Sequence, residues 1–163
     1  MFLDVIHVFY EYNTVNKGIV VKLYPDESMR DKINQNISNA RFTWNKLLQE
    51  YQETFELFKK QGYTKLQCNI KTFNTMLNML KTQYSFLYES ESSSLQQVFR
   101  DLIQAFKRFF NNTSSYPRFK SKKNPKHSFR IQNNNNIKIQ DNIIVLPKLG
   151  QVHYRTSNHY KKL

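Results

Sequence analysis

The chain has 163 residues, of which 39% are hydrophobic and 15% aromatic, enough to bury a core in one domain or two small ones. Its formal net charge is +13, and no apolar run is long enough to span a bilayer. The single cysteine, Cys68, excludes an internal disulfide and a cysteine-based zinc ribbon or finger. The N-terminus lacks the pattern of a secretory signal, so we expect a reducing, cytoplasmic setting.

The positive charge is divided unevenly along the chain. Residues 1–101 contain 12 Lys and Arg against 11 Asp and Glu, whereas residues 102–163 contain 13 basic residues against one acid, Asp141. Such an excess favours a polyanionic partner, either nucleic acid or an anionic membrane surface. The basic part lacks the periodicity of an amphipathic helix, so we expect nucleic acid and no membrane.

The N-terminal part predicts a strand followed by a long helix. Residues 1–16 are an extension that the pattern does not assign, and β-branched residues then predict a strand over Lys17–Tyr24. Apolar residues recur every three or four positions from Met29 to Phe58, which predicts one helical face, and Gly62 ends the helix.

Two shorter helices are predicted next. Ile70 to Leu80 and Leu95 to Phe110 each repeat apolar residues at helical spacing, and Tyr84 to Leu87 is predicted to plug the core between them. Ser94 and Gln97 have the spacing of a capping box at the start of the third helix.

A basic strap, residues 116–130, follows the helices. It has six Lys and Arg, three aromatic residues and no acid, while Pro117 and Pro125 forbid a regular helix. Repelling cations favour an extended segment whose rings can stack on bases, although a solvated loop without a partner is the alternative. The candidate nucleic-acid contacts are Tyr116, Arg118, Phe119, Lys120, Lys122, Lys123, Lys126 and Arg130 of the strap, with Lys107 and Arg108 of the third helix.

Short strands are predicted after the strap. The candidates are Phe129–Ile131, Ile137–Ile139, Ile143–Leu146 and Gln151–Tyr154. The turn Gln140–Asn142 would join two of them as a hairpin. The N-terminal strand is too short to be stable alone, so we expect it to pair with these strands. The element order predicts an α+β fold, a small β-barrel or sheet with the helical block inserted.

Several motifs together resemble the N-terminal half of TnpB (OrfB) proteins, which insertion sequences encode and which have long been described as transposases with a helix-turn-helix domain. The motifs are Gly18–Pro25, Ala40–Asn45, Leu95–Gln96 with Leu102, Ala105–Phe110, Tyr116–Lys120 and Leu146–Gly150. The resemblance implies a wedge-like β-barrel formed by residues 17–25 and 113–155. A three-helix recognition lobe, residues 26–112, would interrupt it, and residues 156–163 would form a basic tail.

The resemblance also implies a function, because TnpB proteins are RNA-guided DNA endonucleases. The partners would be a guide RNA, which reads the target by base pairing, and double-stranded DNA, whose short flanking motif the protein reads. By position in the family, the flanking motif would be read by Ser92, Ser93, Gln96, Asn133 and Asn134. Asn and Gln side chains suit adenine, and Ser can serve any base.

The family's nuclease half would lie beyond this chain. It is a RuvC-like domain whose carboxylates hold divalent metal, with a four-cysteine zinc ribbon, whereas Asp141 and Cys68 are isolated here. We therefore expect no catalytic residue, no metal site and no cofactor in this chain, and no DNA cleavage by it alone.

Other interpretations stay open at this stage. The chain could be catalytic once joined to its missing half, or it could be a helix-turn-helix regulator or transposon-derived repressor. Among single residues, Ser92 and Ser93 could be capping residues, Gln96 a plain surface residue, and Arg41 and Asn45 either RNA contacts or solvated side chains.

Overall fold

The computed structural model describes residues 5–12, 15–123, 127–133 and 135–156. Its elements are β1 (Val5–Tyr12), β2 (Val15–Tyr24), α1 (Glu27–Lys60), α2 (Ile70–Gln83), a short 3-10 helix (Ser85–Glu89), α3 (Ser92–Phe110), β3 (Lys138–Gln140), β4 (Ile143–Leu146) and β5 (Gly150–Thr156). This confirms the α+β class. Contacts divide the chain into two units: a sheet unit, the described residues up to Ile33 and from Asn133, and a helical unit, Asn34–Gln132.

The sheet unit contains one open antiparallel sheet with the strand order β1-β2-β5-β4-β3. The N-terminal strand pairs with a C-terminal one, as predicted, through Val21↔Thr156 to Tyr24↔His153. The residues left unassigned by the sequence supply β1, which pairs with β2 from Val5↔Lys22 to Tyr12↔Val15. No pairing joins β1 to β3 in the described part of the chain, so the predicted closure into a barrel is not confirmed.

Alternation of side chains gives this sheet one buried face. Val21 and Leu23 of β2 are buried, whereas Lys22 and Tyr24 between and beside them are exposed. The buried apolar residues of the sheet unit are Val21, Leu23, Met29, Ile33, Ile144, Leu146, Leu149 and Val152. The predicted hairpin is confirmed: Gln140 pairs with Ile143 across a two-residue loop in which Asp141 has a φ of 47°.

The helical unit has a larger core made by the apolar faces of its three helices. Phe73, Phe99 and Phe106 are fully buried, and burial of each contributes about 1.5–3 kcal/mol to folding. Tyr51 of α1 stacks on Phe73 with ring centroids 5.3 Å apart and tilts against Phe106 at 4.6 Å. The predicted plug between α2 and α3 is also present, because Leu87 is fully buried.

The ends of the helices agree with the sequence in one case and correct it in another. At Gly62, with a φ of 85°, the chain closes α1 through bonds from Gly62 N to Lys59 O (3.1 Å) and Tyr63 N to Phe58 O (3.0 Å). At α3, the predicted capping box of Ser94 and Gln97 is wrong. The helix begins earlier, and the Glu91 carboxylate caps it by accepting from Ser94 N at 2.9 Å.

The segment after α3 also differs from the prediction. Phe129–Ile131 is not a strand. Its central residue, Arg130, pairs with Asp101 of α3 instead, and the next residue along the chain, Gln132, donates from its backbone N to Ser93 Oγ at 3.1 Å. The described residues of the range 113–132, which the sequence analysis grouped with the strands, fall in the helical unit by their contacts.

Candidate nucleic-acid interface

Two side chains of α1 hold the basic strap by its backbone. Trp44 Nε1 donates to the carbonyl oxygen of Arg118 at 2.9 Å. The Asn45 amide donates to the carbonyl oxygen of Lys120 at 3.0 Å and accepts from Lys120 N at 2.7 Å. One side chain thus satisfies both main-chain groups of Lys120, as a neighbouring strand would. The strap is consequently fixed in an extended path from Arg118 to Lys120.

The Lys120 side chain is drawn toward the same anchor. Its ammonium lies 3.9 Å from the centroid of the Trp44 ring, within the range of a cation–π interaction. Partial burial lowers the pKa of Lys120; the charge of Asp101 acts in the opposite direction and that of Arg130 adds to the lowering. The Lys120 ammonium therefore contacts the anchor, although Lys120 is exposed, like Lys122 and Lys123.

The aromatic residues of the strap divide into two roles. Tyr116 meets Phe106 and Phe109 edge-on at centroid distances of 5.5 and 5.0 Å, and burial raises the pKa of its phenol. Phe129 packs against the helical core. Phe119 is 56% exposed, so it is the ring of the described strap that is most available to a base.

The predicted basic contacts differ in whether an acidic side chain balances their positive charge. Arg118 is exposed, and Lys107 and Arg108 lie exposed in the last turns of α3, with Arg108 Nε 3.4 Å from Gln104 O. Arg130 forms a salt bridge with Asp101, so its charge is largely balanced. Lys126 lies outside the described residues.

The chain is similar in sequence to a known family model and to known proteins. Residues 13–60 match a family model described as a helix-turn-helix domain. The chain is 34% identical over 119 residues to InsQ of Escherichia coli (strain K12), provisionally named an RNA-guided DNA endonuclease, covering 72% of this chain and 28% of InsQ. A Streptomyces pristinaespiralis protein, also provisionally named an RNA-guided DNA endonuclease, is 27% identical over 115 residues. That match covers 70% of this chain and 27% of the Streptomyces protein.

These matches confirm the resemblance to the TnpB/OrfB family. The chain spans little more than a quarter of the length of either relative. In the matched region that the structure describes, residues 15–60 form β2 and one continuous helix, α1. In this chain the described part of the matched region is thus a strand and a long helix, and not two helices joined by a turn.

The residues expected to read the flanking motif in TnpB/OrfB proteins lie at the start of α3 and in the segment entering β3. Ser92 is exposed and Gln96 is half-buried. Ser93 is buried, and its hydroxyl donates to the Glu91 carboxylate while accepting from Gln132 N at 3.1 Å.

Asn133, which belongs to the sheet unit, is exposed, and its Oδ1 lies 3.4 Å from Ile137 N. Asn134 lies outside the described residues. Ser92 and Gln96 therefore have the side chains best placed for an external partner, because the hydroxyl of Ser93 is already used within the protein.

Sequence reasoning missed two features. It weighed Asn45 as an RNA contact or a solvated residue, whereas Asn45 anchors the strap. It also did not single out the exposed face of the sheet, where Lys22 Nζ and Arg155 Cζ lie 5.3 and 5.2 Å from the Tyr24 ring centroid. The alternation of polar and apolar residues along β2 was the signal for that face.

Two further observations concern the described residues alone. None of their helices is long and apolar enough to cross a membrane. Within the same residues, no group of three or more His, Cys, Asp or Glu side chains is placed to hold a metal ion.

Proposed function

We propose that this chain is the nucleic-acid-binding N-terminal portion of a TnpB-like RNA-guided DNA endonuclease. In this role it binds a guide RNA and the DNA that flanks the target, and a RuvC-like half elsewhere performs the metal-dependent cleavage. The chain alone is not catalytic in this proposal. The observation that carries it is the basic strap, whose backbone is tied to Trp44 and Asn45 while its cations stay exposed.

The anchored strap suits a sugar–phosphate backbone for two reasons. Lys and Arg side chains that bind phosphates release condensed counterions, which supplies much of the affinity of such complexes. An extended segment that is already ordered loses less conformational entropy on binding than a free loop would. Arg118, Lys122 and Lys123 are the proposed phosphate contacts, while Arg130 contributes less because Asp101 balances its charge.

The flanking DNA motif is proposed to be read at the start of α3 and by the residues before β3. Gln96 can make two hydrogen bonds to the major-groove edge of adenine, and Asn133 and Asn134 have the same amide chemistry. Ser92 can contact a base or a phosphate near the N-terminus of α3.

A salt series of filter binding with single-stranded RNA and duplex DNA tests the proposal. We expect the triple variant Arg118→Gln, Lys122→Gln, Lys123→Gln to flatten the slope of log affinity against log salt by roughly 2–3 units, at about 0.7–0.9 per lost phosphate contact. The matched control, Lys59→Gln, Lys60→Gln, Lys65→Gln, removes three exposed lysines from the near-neutral part of the chain. Equal slopes for the two triple variants would remove the strap from the interface.

A DNA-binding regulator is the second candidate, because the matched family model is described as a helix-turn-helix domain. It predicts that duplex DNA binds without RNA and that the strap variant binds that duplex normally. The single continuous helix over residues 27–60 favours the first candidate.

A further inference from the structure

The helical unit has an open cavity of 510 Å³. Of the residues proposed above to contact nucleic acid, Phe119 is the one that lines it. Its volume lies within the usual range of small-ligand sites, about 300–1,000 Å³. The exposed side of α1 forms its wall, and one ring from the 3-10 helix and one from the basic strap complete it. The lining residues are Ser38, Asn39, Arg41, Phe42, Asn45, Lys46, Gln49, Phe86 and Phe119.

Aromatic rings supply the apolar part of this cavity. Phe86 and Phe119 are 39% and 56% exposed, so both rings are accessible to a ligand in the cavity. Phe86 meets Phe42 edge-on with centroids 5.2 Å apart, and Phe42 in turn meets Tyr84 at 4.9 Å, so its position is fixed by packing. Phe119 is fixed differently, because its two chain neighbours are the residues whose backbones Trp44 and Asn45 hold.

The polar part of the lining is positively charged. It contains Arg41 and Lys46 and no Asp or Glu. The Lys46 ammonium lies 3.4 Å from Gln49 Oε1 and 5.6 Å from the Tyr84 ring centroid, and both of these neighbours are neutral groups. An anionic ligand with a flat apolar portion is therefore complementary to the cavity in both charge and shape.

Two amides in the lining are already occupied by the protein. Asn45 bonds the backbone of Lys120, and Asn39 Nδ2 donates to Ser90 Oγ at 2.8 Å. The Gln49 amide is engaged as well, because its Nε2 donates to Glu53 Oε1 at 2.8 Å and its Oε1 lies 3.4 Å from the Lys46 ammonium. Ser38 is exposed and thus has the neutral polar side chain of the lining best placed for a ligand. Its hydroxyl can bond the edge of a base, and one such group gives little discrimination between bases.

We propose that this cavity receives one unpaired nucleotide of the bound nucleic acid, with its base against Phe119 and Phe86 and its phosphate between Arg41 and Lys46. A base in a duplex is covered on both faces by its neighbours, so only an unpaired base can present a face to these rings. The inference rests on the proposed nucleic-acid function and adds a specific ligand to it. The same base and phosphate chemistry can come from RNA or from a displaced DNA strand.

Fluorescence of 2-aminopurine, an adenine analogue quenched by stacking, tests the proposal with the full chain. Single-stranded RNA and single-stranded DNA each carry one 2-aminopurine, and a duplex carries the same probe base-paired. We expect quenching on binding of at least one single strand and no further quenching of the paired probe. Quenching with RNA alone, DNA alone or both identifies the source of the nucleotide, whereas no quenching with either overturns the inference.

Matched variants separate the cavity from the strap. Phe119→Leu keeps apolar bulk but removes the aromatic face, so we expect lost quenching and roughly 5- to 100-fold weaker binding with an unchanged salt slope. Phe110→Leu is the control, since Phe110 on α3 is equally exposed at 56%. Arg41→Gln should flatten the salt slope by roughly one unit. Indistinguishable results for Phe119→Leu and Phe110→Leu overturn the inference.

Failure of the cavity is distinguishable from failure of the function. If the unmodified chain binds no nucleic acid, the proposed function fails. If it binds with a slope that depends on Arg118, Lys122 and Lys123 but quenching is the same in Phe119→Leu, only the nucleotide site fails. An acidic peptide at equal concentration provides a further test. If it displaces the probe from the cavity while strap-dependent binding persists, the cavity is assigned to a protein partner and the inference is overturned.

Discussion

Replacement of Asn45 by alanine tests the anchor of the basic strap directly. The change removes two hydrogen bonds, from Lys120 N at 2.7 Å and to Lys120 O at 3.0 Å. Each such bond contributes about 0.5–1.5 kcal/mol net, so their loss costs about 1–3 kcal/mol. Alanine also stabilises a helix interior relative to asparagine by about 0.5–0.7 kcal/mol, which partly hides this loss.

A matched variant removes that ambiguity. Asn74→Ala makes the same exchange at an exposed position inside α2 and therefore measures the helical gain alone. We expect the free energy of unfolding, from urea titration, to be about 1–3 kcal/mol lower for Asn45→Ala than for Asn74→Ala. Asn45→Asp keeps the acceptor for Lys120 N but loses the donor to Lys120 O. Its free energy of unfolding should lie between those of Asn45→Ala and Asn74→Ala.

Hydrogen exchange at one amide gives a second, local measurement. The Lys120 amide donates to Asn45 in the structure, so its exchange should accelerate in Asn45→Ala while amides of the α2 interior stay unchanged. Nucleic-acid affinity should fall as well, although no charge has been removed, because a disordered strap must be ordered on binding. An unchanged Lys120 exchange rate, or equal stability of the two alanine variants, would refute the anchor.

Three further predictions follow from individual residues. Trp44→Phe keeps a buried aromatic ring but loses the Nε1 bond to Arg118 O and part of the cation–π contact with Lys120. The free energy of unfolding, from urea titration, should therefore fall by about 1–2 kcal/mol. An unchanged free energy of unfolding would contradict this geometry. Burial raises the pKa of the Cys68 thiol from 9.0 to about 11, which lowers the thiolate fraction at pH 8 about 100-fold. Alkylation of Cys68 should therefore be far slower in the folded chain than in urea. Comparable rates in the two conditions would argue against burial of the thiol. Gly62→Ala places a side chain at a φ of 85° with open space around it, so the cost is backbone strain of about 1–2 kcal/mol, and an unchanged urea midpoint would contradict this conformation.

The sequence predicted the features that depend on local pattern. Helical spacing predicted the buried faces around Phe73 and Phe106, and Gly62 marked the end of α1 because a left-handed residue is needed there. Alternation and the Asp141 turn predicted the β3–β4 hairpin. The basic strap could be found as a segment, since charge and proline content are properties of neighbouring residues.

Features that depend on distant partners were not predicted. The strap was grouped with the strands because nothing near residue 120 indicates that Asn45 bonds its backbone. At the start of α3 the Glu91 cap itself is local, but the hydroxyl of Ser93, which donates to Glu91, also accepts from the distant Gln132 N. β1 was left unassigned because its stability comes from pairing with β2 and not from its own composition.

The anchoring of the strap through main-chain atoms has an evolutionary consequence. Trp44 and Asn45 recognise the peptide groups of residues 118 and 120, which every amino acid other than proline possesses. Under the proposed function, substitution at positions 118 and 119 can therefore alter which nucleic acid is preferred without rerouting the backbone. Selection for a particular ligand can therefore act on these side chains, while selection for a stable strap acts on Trp44 and Asn45. Binding preference can then diversify among descendants that keep the same backbone path.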